Sequence, residues 1–358
     1  MKMLSLPERT ALADRLRASR HDTATEVTKE FLERHPDWLQ RYGTRAREHG
    51  EEDARFHLDF LAAALEAGSP AAFENYAGWC AGMLESRGIA RTFVTENFEQ
   101  IGQSVRRRLR PEDMEVIEPL LQAGFVAIAA AEPGPRPGPA AGPIVEQGLF
   151  LQAILSPNRK AAANIVREAL RSGRSIHDIY LHIFQKSMYE VGRMWESNQI
   201  TVAQEHMATA ITQSVMAIVY EEIEYTGRPR GKMVITGVEG EMHQIGAHLV
   251  ADILEADGWD VVFLGTNTPH AGVLAAVDSH QATVLGISAT LTSNLPQVVR
   301  LVETAKKRWG TTVPRILLGG AAFRFAPALS AEIQADGVGL DLTEALEITR
   351  PWASEAST

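Results

Sequence analysis

Hydrophobic residues recur at helical spacing through the first third of the chain, and no alternating strand pattern interrupts them. Leu58, Leu61 and Leu65, for example, share one helical face, and Gly68 follows where that stripe ends. Prolines and acidic residues occur where further segments begin. Residues 1–131 are therefore predicted to form an all-helical domain of six or seven helices.

A stretch of alternating prolines and glycines follows, at residues 132–143. Such a sequence cannot sustain a helix, and its prolines keep the chain fairly extended. We interpret it as a linker between two domains.

Helical periodicity returns over residues 144–226, in four segments with short connections, which predicts a four-helix bundle. The segments are Val145–Leu155, Pro157–Ser172, Ser175–Ser197 and Val202–Glu224. The fourth begins with a capping-box pattern at Thr201 and Gln204. A tight hairpin before it should bring Trp195 close to Glu205 and His206.

The last part of the chain, residues 230–350, alternates short apolar runs with helical segments, which predicts a Rossmann-like, flavodoxin-like parallel sheet. Four strands are expected: Lys232–Val238, Val261–Leu264, Thr283–Ser288 and Arg315–Leu318. Ligands of such sheets bind at the carboxyl ends of the strands. Three of those ends carry candidate site residues, namely Glu241, His243 and Gly246 after the first strand, Ser288 and Thr290 at the third, and Gly319 and Gly320 at the fourth.

Glu241 stands two positions before His243 and suits a partner that orients the imidazole toward a metal. The order Glu-x-His-x-x-Gly, Ser-x-Thr, Gly-Gly resembles the cobalamin-binding domain of the methionine synthase and methylmalonyl mutase type. This resemblance implies that His243 is the lower axial ligand of cobalt. It also implies that the cofactor's nucleotide tail runs beside Ser288, Thr290, Gly319 and Gly320. The family's commonest residue at the position of Glu241 is aspartate, so the carboxylate is kept.

Trp195, followed after nine residues by Glu205 and His206, is similar to the cap of the light-sensing cobalamin repressors. There these residues cover the adenosyl group, which implies adenosylcobalamin here. The repressors carry a histidine directly after the tryptophan, whereas this chain has Glu196. A bis-histidine photoproduct through that position is therefore not expected, although His206 or His182 could substitute. The repressors' winged-helix DNA reader is also missing, and no nucleic-acid partner is expected.

An all-helical domain joined to a cobalamin unit resembles the photocobilin group, which implies a second chromophore, biliverdin. The same aromatic residues could equally form an ordinary helical core. The residues considered for a bilin slot are Phe56, Phe60, Phe73, Tyr76 and Trp79, with Arg55, Arg91 or Arg106 as partners of the propionates.

Composition narrows the function classes further. The 358 residues carry a formal net charge of −10, which disfavours a general nucleic-acid binder. The single cysteine, Cys80, excludes an internal disulfide framework and suits a reducing compartment. No apolar run is long enough for a membrane span or a signal peptide, so a cytoplasmic protein with no membrane partner is expected.

We therefore predict a light sensor. Photolysis of the bound adenosylcobalamin would shift the cap bundle, alter self-association as a dimer or tetramer, and act on a separate effector protein. The alternative is a corrinoid methyl carrier that serves a separate methyltransferase. A mutase is disfavoured because no region alternates strand and helix often enough for the barrel that such enzymes require.

Overall fold

The computed structural model describes residues 4–132, 144–223 and 230–355. These residues cluster into two compact units. The first consists of residues 4–132 together with Leu291–Pro296 and Phe325–Glu332, and the second contains the remaining described residues. The predicted linker lies, except for Glu132, outside the described residues, and the predicted domain boundaries stay predictions.

Seven helices form the amino-terminal part, as the periodicity predicts. Pro36, Pro70 and Pro111 each open a helix at a position where the missing N–H costs nothing, and Gly68 caps α4 in the left-handed conformation. Their buried leucine, alanine and aromatic side chains form one core. The helices are α1 (Leu6–Ala18), α2 (Arg20–Arg34), α3 (Pro36–Tyr42), α4 (Arg45–Ala67), α5 (Pro70–Ser86), α6 (Arg91–Arg108) and α7 (Pro111–Ala130).

The middle part contains the predicted helical bundle, which we call the cap bundle. Its helices are α8 (Val145–Leu155), α9 (Arg159–Arg171), α10 (Ile176–Asp178), α11 (Lys186–Glu196) and α12 (Val202–Tyr220). The capping box of Thr201 and Gln204 is present at the start of α12. The third predicted helix is not a single α-helix, because a π-helical segment, Ile179–Gln185, separates α10 from α11. We call it the π segment.

The carboxyl-terminal part is a five-stranded parallel sheet in the order β2-β1-β3-β4-β5, which is the flavodoxin-like arrangement. The strands are β1 (Lys232–Gly237), β2 (Asp260–Phe263), β3 (Val284–Ser288), β4 (Arg315–Gly319) and β5 (Gly337–Gly339). The helices are α13 (Gln244–Ala256), α14 (His270–His280), α15 (Leu295–Trp309), α16 (Pro327–Glu332), α17 (Leu342–Thr349) and α18 (Trp352–Glu355). The predicted fold class is confirmed.

The cap bundle and the sheet share one hydrophobic core. Phe150, Phe184 and Val215 of the bundle belong to the same buried cluster as Leu249 of α13 and Trp259 before β2. Burial of this apolar surface is the main force that holds the two parts together. Among the described helices, none combines the length and the apolar character that crossing a membrane requires.

Candidate functional site

The loop between β1 and α13 carries the predicted metal ligand. The backbone N–H of Glu241 donates to Val238 O at 3.0 Å, which closes a turn, and His243 occupies the N-cap position of α13. The imidazole Nδ1 of His243 lies 2.6 Å from Oε1 of Glu241. The predicted pairing of carboxylate and imidazole is therefore present in the structure.

Glu241 is the centre of a small hydrogen-bond network. Its side chain is 0% exposed, and its Oε1 accepts from the backbone N–H of His243 at 2.8 Å. Its Oε2 accepts from the backbone N–H of Thr290 at 2.6 Å. Burial acts to raise the pKa of Glu241, but these hydrogen bonds and the nearby imidazole outweigh it and hold the pKa at about 2. An ionised Glu241 thus ties the β1 loop to the loop after β3.

The orientation of His243 leaves Nε2 available to a metal. The hydrogen bond that the imidazole donates to Glu241 raises the pKa of His243, burial opposes that shift, and the charges of Glu241 and Glu205 reinforce it. The side chain is 53% exposed, so an approaching group can reach the ring. An imidazole whose other nitrogen is held by a carboxylate is the usual arrangement of a metal-binding histidine.

The residues at this site fit a metal that arrives inside a macrocycle. Within residues 4–132, 144–223 and 230–355, no group of three or more His, Cys, Asp or Glu side chains is arranged to hold a metal ion. A bare cation would need several such ligands. In a corrinoid the ring supplies the equatorial nitrogens, and one axial imidazole is sufficient.

The remaining predicted residues of the sheet meet at the same edge. Ser288 pairs in register with Gly237 on one side and with Gly319 on the other. Gly320 follows with φ of +97°, and its backbone lies against Ala289. The structure therefore brings Ser288, Gly319 and Gly320 together, and Thr290 joins His243 through Glu241. Their roles toward a nucleotide tail stay predictions.

Gly246 lies in the first turn of α13, three residues after His243, and a Cβ atom there would meet nothing within 4 Å. Because alanine favours a helix over glycine by about 1 kcal/mol, we expect Gly246→Ala to leave the cofactor-free protein as stable or more stable. Cobalamin binding should weaken, because the added methyl group would occupy space that we assign to the corrin. Thermal unfolding and cobalamin titration measure the two effects.

Gly148→Ala is the matched control, since Gly148 also lies in a helix with open space around it, but in α8. It should give a similar stability change with unaltered cobalamin binding. Equal cobalamin affinity of the two variants would contradict the assignment of Gly246.

The three predicted cap residues differ in how far they are buried. Trp195 lies near the end of α11 and is partly buried against the shared core. Glu205, in the first turn of α12, accepts from Thr209 Oγ1 at 3.0 Å, and its Oε2 lies 2.5 Å from His206 Nδ1. The His206 side chain is 75% exposed. The negative charge of Glu205 acts to raise the pKa of His243, so a residue of the cap bundle interacts electrostatically with the predicted cobalt ligand.

Glu196, which stands where the repressors have a histidine, and His182, one of the two candidate substitutes, lie in different segments. Glu196 is the last residue of α11, directly after Trp195. His182 belongs to the π segment, and its Nε2 lies 3.9 Å from Asp178. Burial, followed by the charge of Lys186, lowers the pKa of His182.

Asn267, in the loop after β2, braces the candidate site and was not predicted from the sequence. It adopts φ of +56°, and its Oδ1 accepts from the backbone N–H of Gly240 at 2.8 Å, which braces the loop that carries Glu241. Asparagine tolerates the left-handed conformation better than most residues. Its position in the loop after a strand end was the available signal.

Three of the five aromatic residues considered for a bilin slot, Phe60, Phe73 and Tyr76, lie in the helical core. Phe60 stacks on Tyr76 with ring centroids 3.7 Å apart, and Phe73 is fully buried, whereas Phe56 is exposed and Trp79 packs against the core from its margin. The three arginines proposed as propionate partners are paired with carboxylates: Arg55 with Glu51, Arg91 with Glu85 and Arg106 with Glu118.

Comparison with known proteins matches two segments of the chain to B12 binding domain families, residues 148–220 and residues 231–348. A corrinoid protein of Desulfitobacterium hafniense is 26% identical over 53% of this chain and 87% of that protein. Trimethylamine corrinoid protein 1 of Methanosarcina acetivorans is 25% identical over 53% of this chain and 86% of its own length.

Methionine synthase of Mycobacterium tuberculosis is 24% identical over 83% of this chain but only 24% of that enzyme. The structure of the Methanosarcina barkeri monomethylamine corrinoid protein superposes with a TM-score of 0.51 at 24% identity, over 57% of this chain and 96% of that one, which supports the fold.

These relatives favour the corrinoid-protein alternative over the light-sensor prediction, and they give no support to the photocobilin resemblance or to biliverdin. The two matched segments coincide with the cap bundle and the flavodoxin-like sheet. The chain therefore contains B12-binding domains of the methionine synthase type, a helical cap followed by a Rossmann-like domain, and its cofactor is a cobalt corrinoid.

Proposed function

We propose that this protein is a corrinoid carrier that serves a separate methyltransferase, in which His243 would hold the cobalt and the cap bundle would cover the bound cofactor. The observation that carries this proposal is the buried Glu241, which holds Nδ1 of His243 and leaves Nε2 for a metal. When bound, the corrinoid supplies a cobalt that accepts and donates a methyl group.

The chain's own residues bind and orient the cofactor. Glu241 fixes the ring of His243 and, through Thr290, the loop after β3. Gly319 and Gly320 keep the end of β4 free of side chains, which suits the passage of a nucleotide tail. Trp195 and Glu205 come from the cap bundle and would limit the access of water to the upper face.

The relatives support the carrier function. Several are named as corrinoid proteins for methylamines, and two thirds of their length or more is matched by this chain. In this proposal the protein performs no methyl transfer by itself, and its partner is a methyltransferase. Localisation in the cytoplasm is kept as a prediction.

Light sensing through adenosylcobalamin is the second candidate. One feature favours it: Trp195, Glu205 and His206 keep the spacing of an adenosyl-covering cap in the middle of the chain. Light-dependent self-association and a bilin chromophore belong to this candidate alone.

The two candidates predict different cofactor preferences. Protein purified with equal, excess methylcobalamin and adenosylcobalamin in darkness should, as a carrier, retain the methyl form at least as well as the adenosyl form. Its size-exclusion mobility should be the same before and after green light. Exclusive retention of adenosylcobalamin, together with a light-induced change in mobility, would overturn the carrier proposal in favour of the sensor.

A further inference from the structure

A buried hydroxyl–carboxylate pair joins the cap bundle to the helix that begins at the predicted cobalt ligand. The Tyr180 hydroxyl donates to Oδ2 of Asp252 at 2.6 Å. Tyr180 is 0% exposed and belongs to the shared hydrophobic core, and Asp252 is 4% exposed. A buried carboxylate is costly unless it is hydrogen-bonded, so Asp252 favours the arrangement in which Tyr180 reaches its Oδ2, while its Oδ1 lies 3.5 Å from Nε2 of His248 in the same helix.

Tyr180 lies in the π segment, whose geometry directs its side chain toward α13. Ile179, Tyr180, Ile183 and Phe184 are all fully buried, so this short segment presents one apolar face to the core. A π-helix turns less per residue than an α-helix, and seven such residues change the angular relation between α10 and α11. π segments are rare and are frequently found at functional sites.

A second contact of the same chemistry lies one turn further along α13. The Tyr220 hydroxyl, at the end of α12, donates to Oε1 of Glu255 at 3.0 Å. Asp252 and Glu255 are three residues apart and therefore lie on one face of the helix. The cap bundle is thus tied to the carboxyl-terminal half of α13 from two of its own segments.

The other end of α13 carries the proposed cobalt ligand. His243 is the N-cap residue, and Asp252 follows nine positions later, roughly 13 Å along a straight α-helix. A helix of this length is stiff. The contacts at Asp252 and Glu255 therefore fix the position of the cap bundle relative to His243.

We propose that Tyr180 and Asp252 are positioning residues for the corrinoid site, which hold the cap bundle at a fixed distance from His243. This inference rests on the proposed function. The cap bundle would turn about its contacts with α13. The end of the bundle that carries Trp195 and Glu205 would then move away from His243 when a partner binds. Loss of the pair should leave lower ligation intact and make the upper face easier to reach.

The decisive experiment compares Tyr180→Phe with the wild type after loading with aquacobalamin. Both should retain the cofactor. The rate at which cyanide replaces the upper water should rise on the order of tenfold in Tyr180→Phe. This factor corresponds to one lost hydrogen bond of ordinary strength. The single variant Asp252→Asn keeps an oxygen acceptor for the Tyr180 hydroxyl and should show a rate near that of the wild type. An unchanged rate in Tyr180→Phe would overturn the positioning role.

Thr349→Val is the matched control, because it removes another fully buried hydroxyl, one that donates to the carbonyl oxygens of Ala345 and Leu346 within α17. In the cofactor-free protein, amide hydrogen exchange across α11 and α12 should be faster in Tyr180→Phe than in Thr349→Val. Identical exchange in the two variants would overturn the inference whether or not cobalamin binds. Failure of the wild type to retain aquacobalamin would instead overturn the proposed function.

Discussion

Replacement of His243 by alanine should abolish the ligation of cobalt from below and weaken cobalamin binding by more than a hundredfold, about 2.7 kcal/mol or more. The reason is that the structure offers one imidazole at the carboxyl end of β1, held by a buried carboxylate. Glu241→Gln should have a smaller effect, on the order of ten- to a hundredfold, since it disturbs the orientation and basicity of the ring and leaves the ring in place. Equilibrium titration with aquacobalamin measures both.

His280→Ala provides the control for the loss of a histidine. His280 is the last residue of α14 and is exposed, so its removal should not alter cobalamin binding. If His243→Ala bound cobalamin as tightly as His280→Ala does, the assignment of the lower ligand would be wrong.

Gly320→Ala should be strongly destabilising, by about 3 kcal/mol or more. Gly320 adopts φ of +97°, and a Cβ atom there would lie 2.2 Å from the carbonyl oxygen of Ala289. All three nearest atoms belong to the backbone of Ala289, so the clash cannot be relieved without moving the chain at the carboxyl edges of β3 and β4. Urea unfolding followed by circular dichroism gives the change in the free energy of unfolding.

Gly310→Ala separates the two causes of the lost stability, which are the backbone strain at a positive φ and the clash with Ala289. Gly310 also has a positive φ, +56°, but a Cβ atom there would meet nothing within 4 Å. It should cost only the backbone strain, about 1–2 kcal/mol. Equal losses in the two variants would mean that the contact with Ala289 contributes nothing.

The elements that carry the site were predictable from the sequence because they depend on local patterns. Four strands are apolar runs, and the positions of His243, Ser288 and Gly319 at strand ends follow from those runs alone. Parallel pairing then forces the three positions to one edge of the sheet. The short strand β5, Gly337–Gly339, was missed because two of its three residues are glycines and give no apolar run.

The features that were missed depend on tertiary contacts. The π segment has no distinct signal, since seven residues contain too few turns to separate its periodicity from that of an α-helix. Asp252 occupies a helical position where a polar residue would normally face solvent, and only the fold brings Tyr180 to it. The second hydrogen bond of Glu241, to Thr290, likewise requires two loops that lie far apart in the chain to meet.

The central claim, that His243 binds cobalt, is tested most directly by electron paramagnetic resonance of the protein loaded with cob(II)alamin. The axial nitrogen splits each cobalt line, into a triplet when it is ¹⁴N and a doublet when it is ¹⁵N. Protein labelled only in its histidines with ¹⁵N and given unlabelled cofactor should show doublets, and His243→Ala should not. Persistent triplets in the labelled wild type would mean that the cofactor's own base remains on cobalt, which would contradict the account.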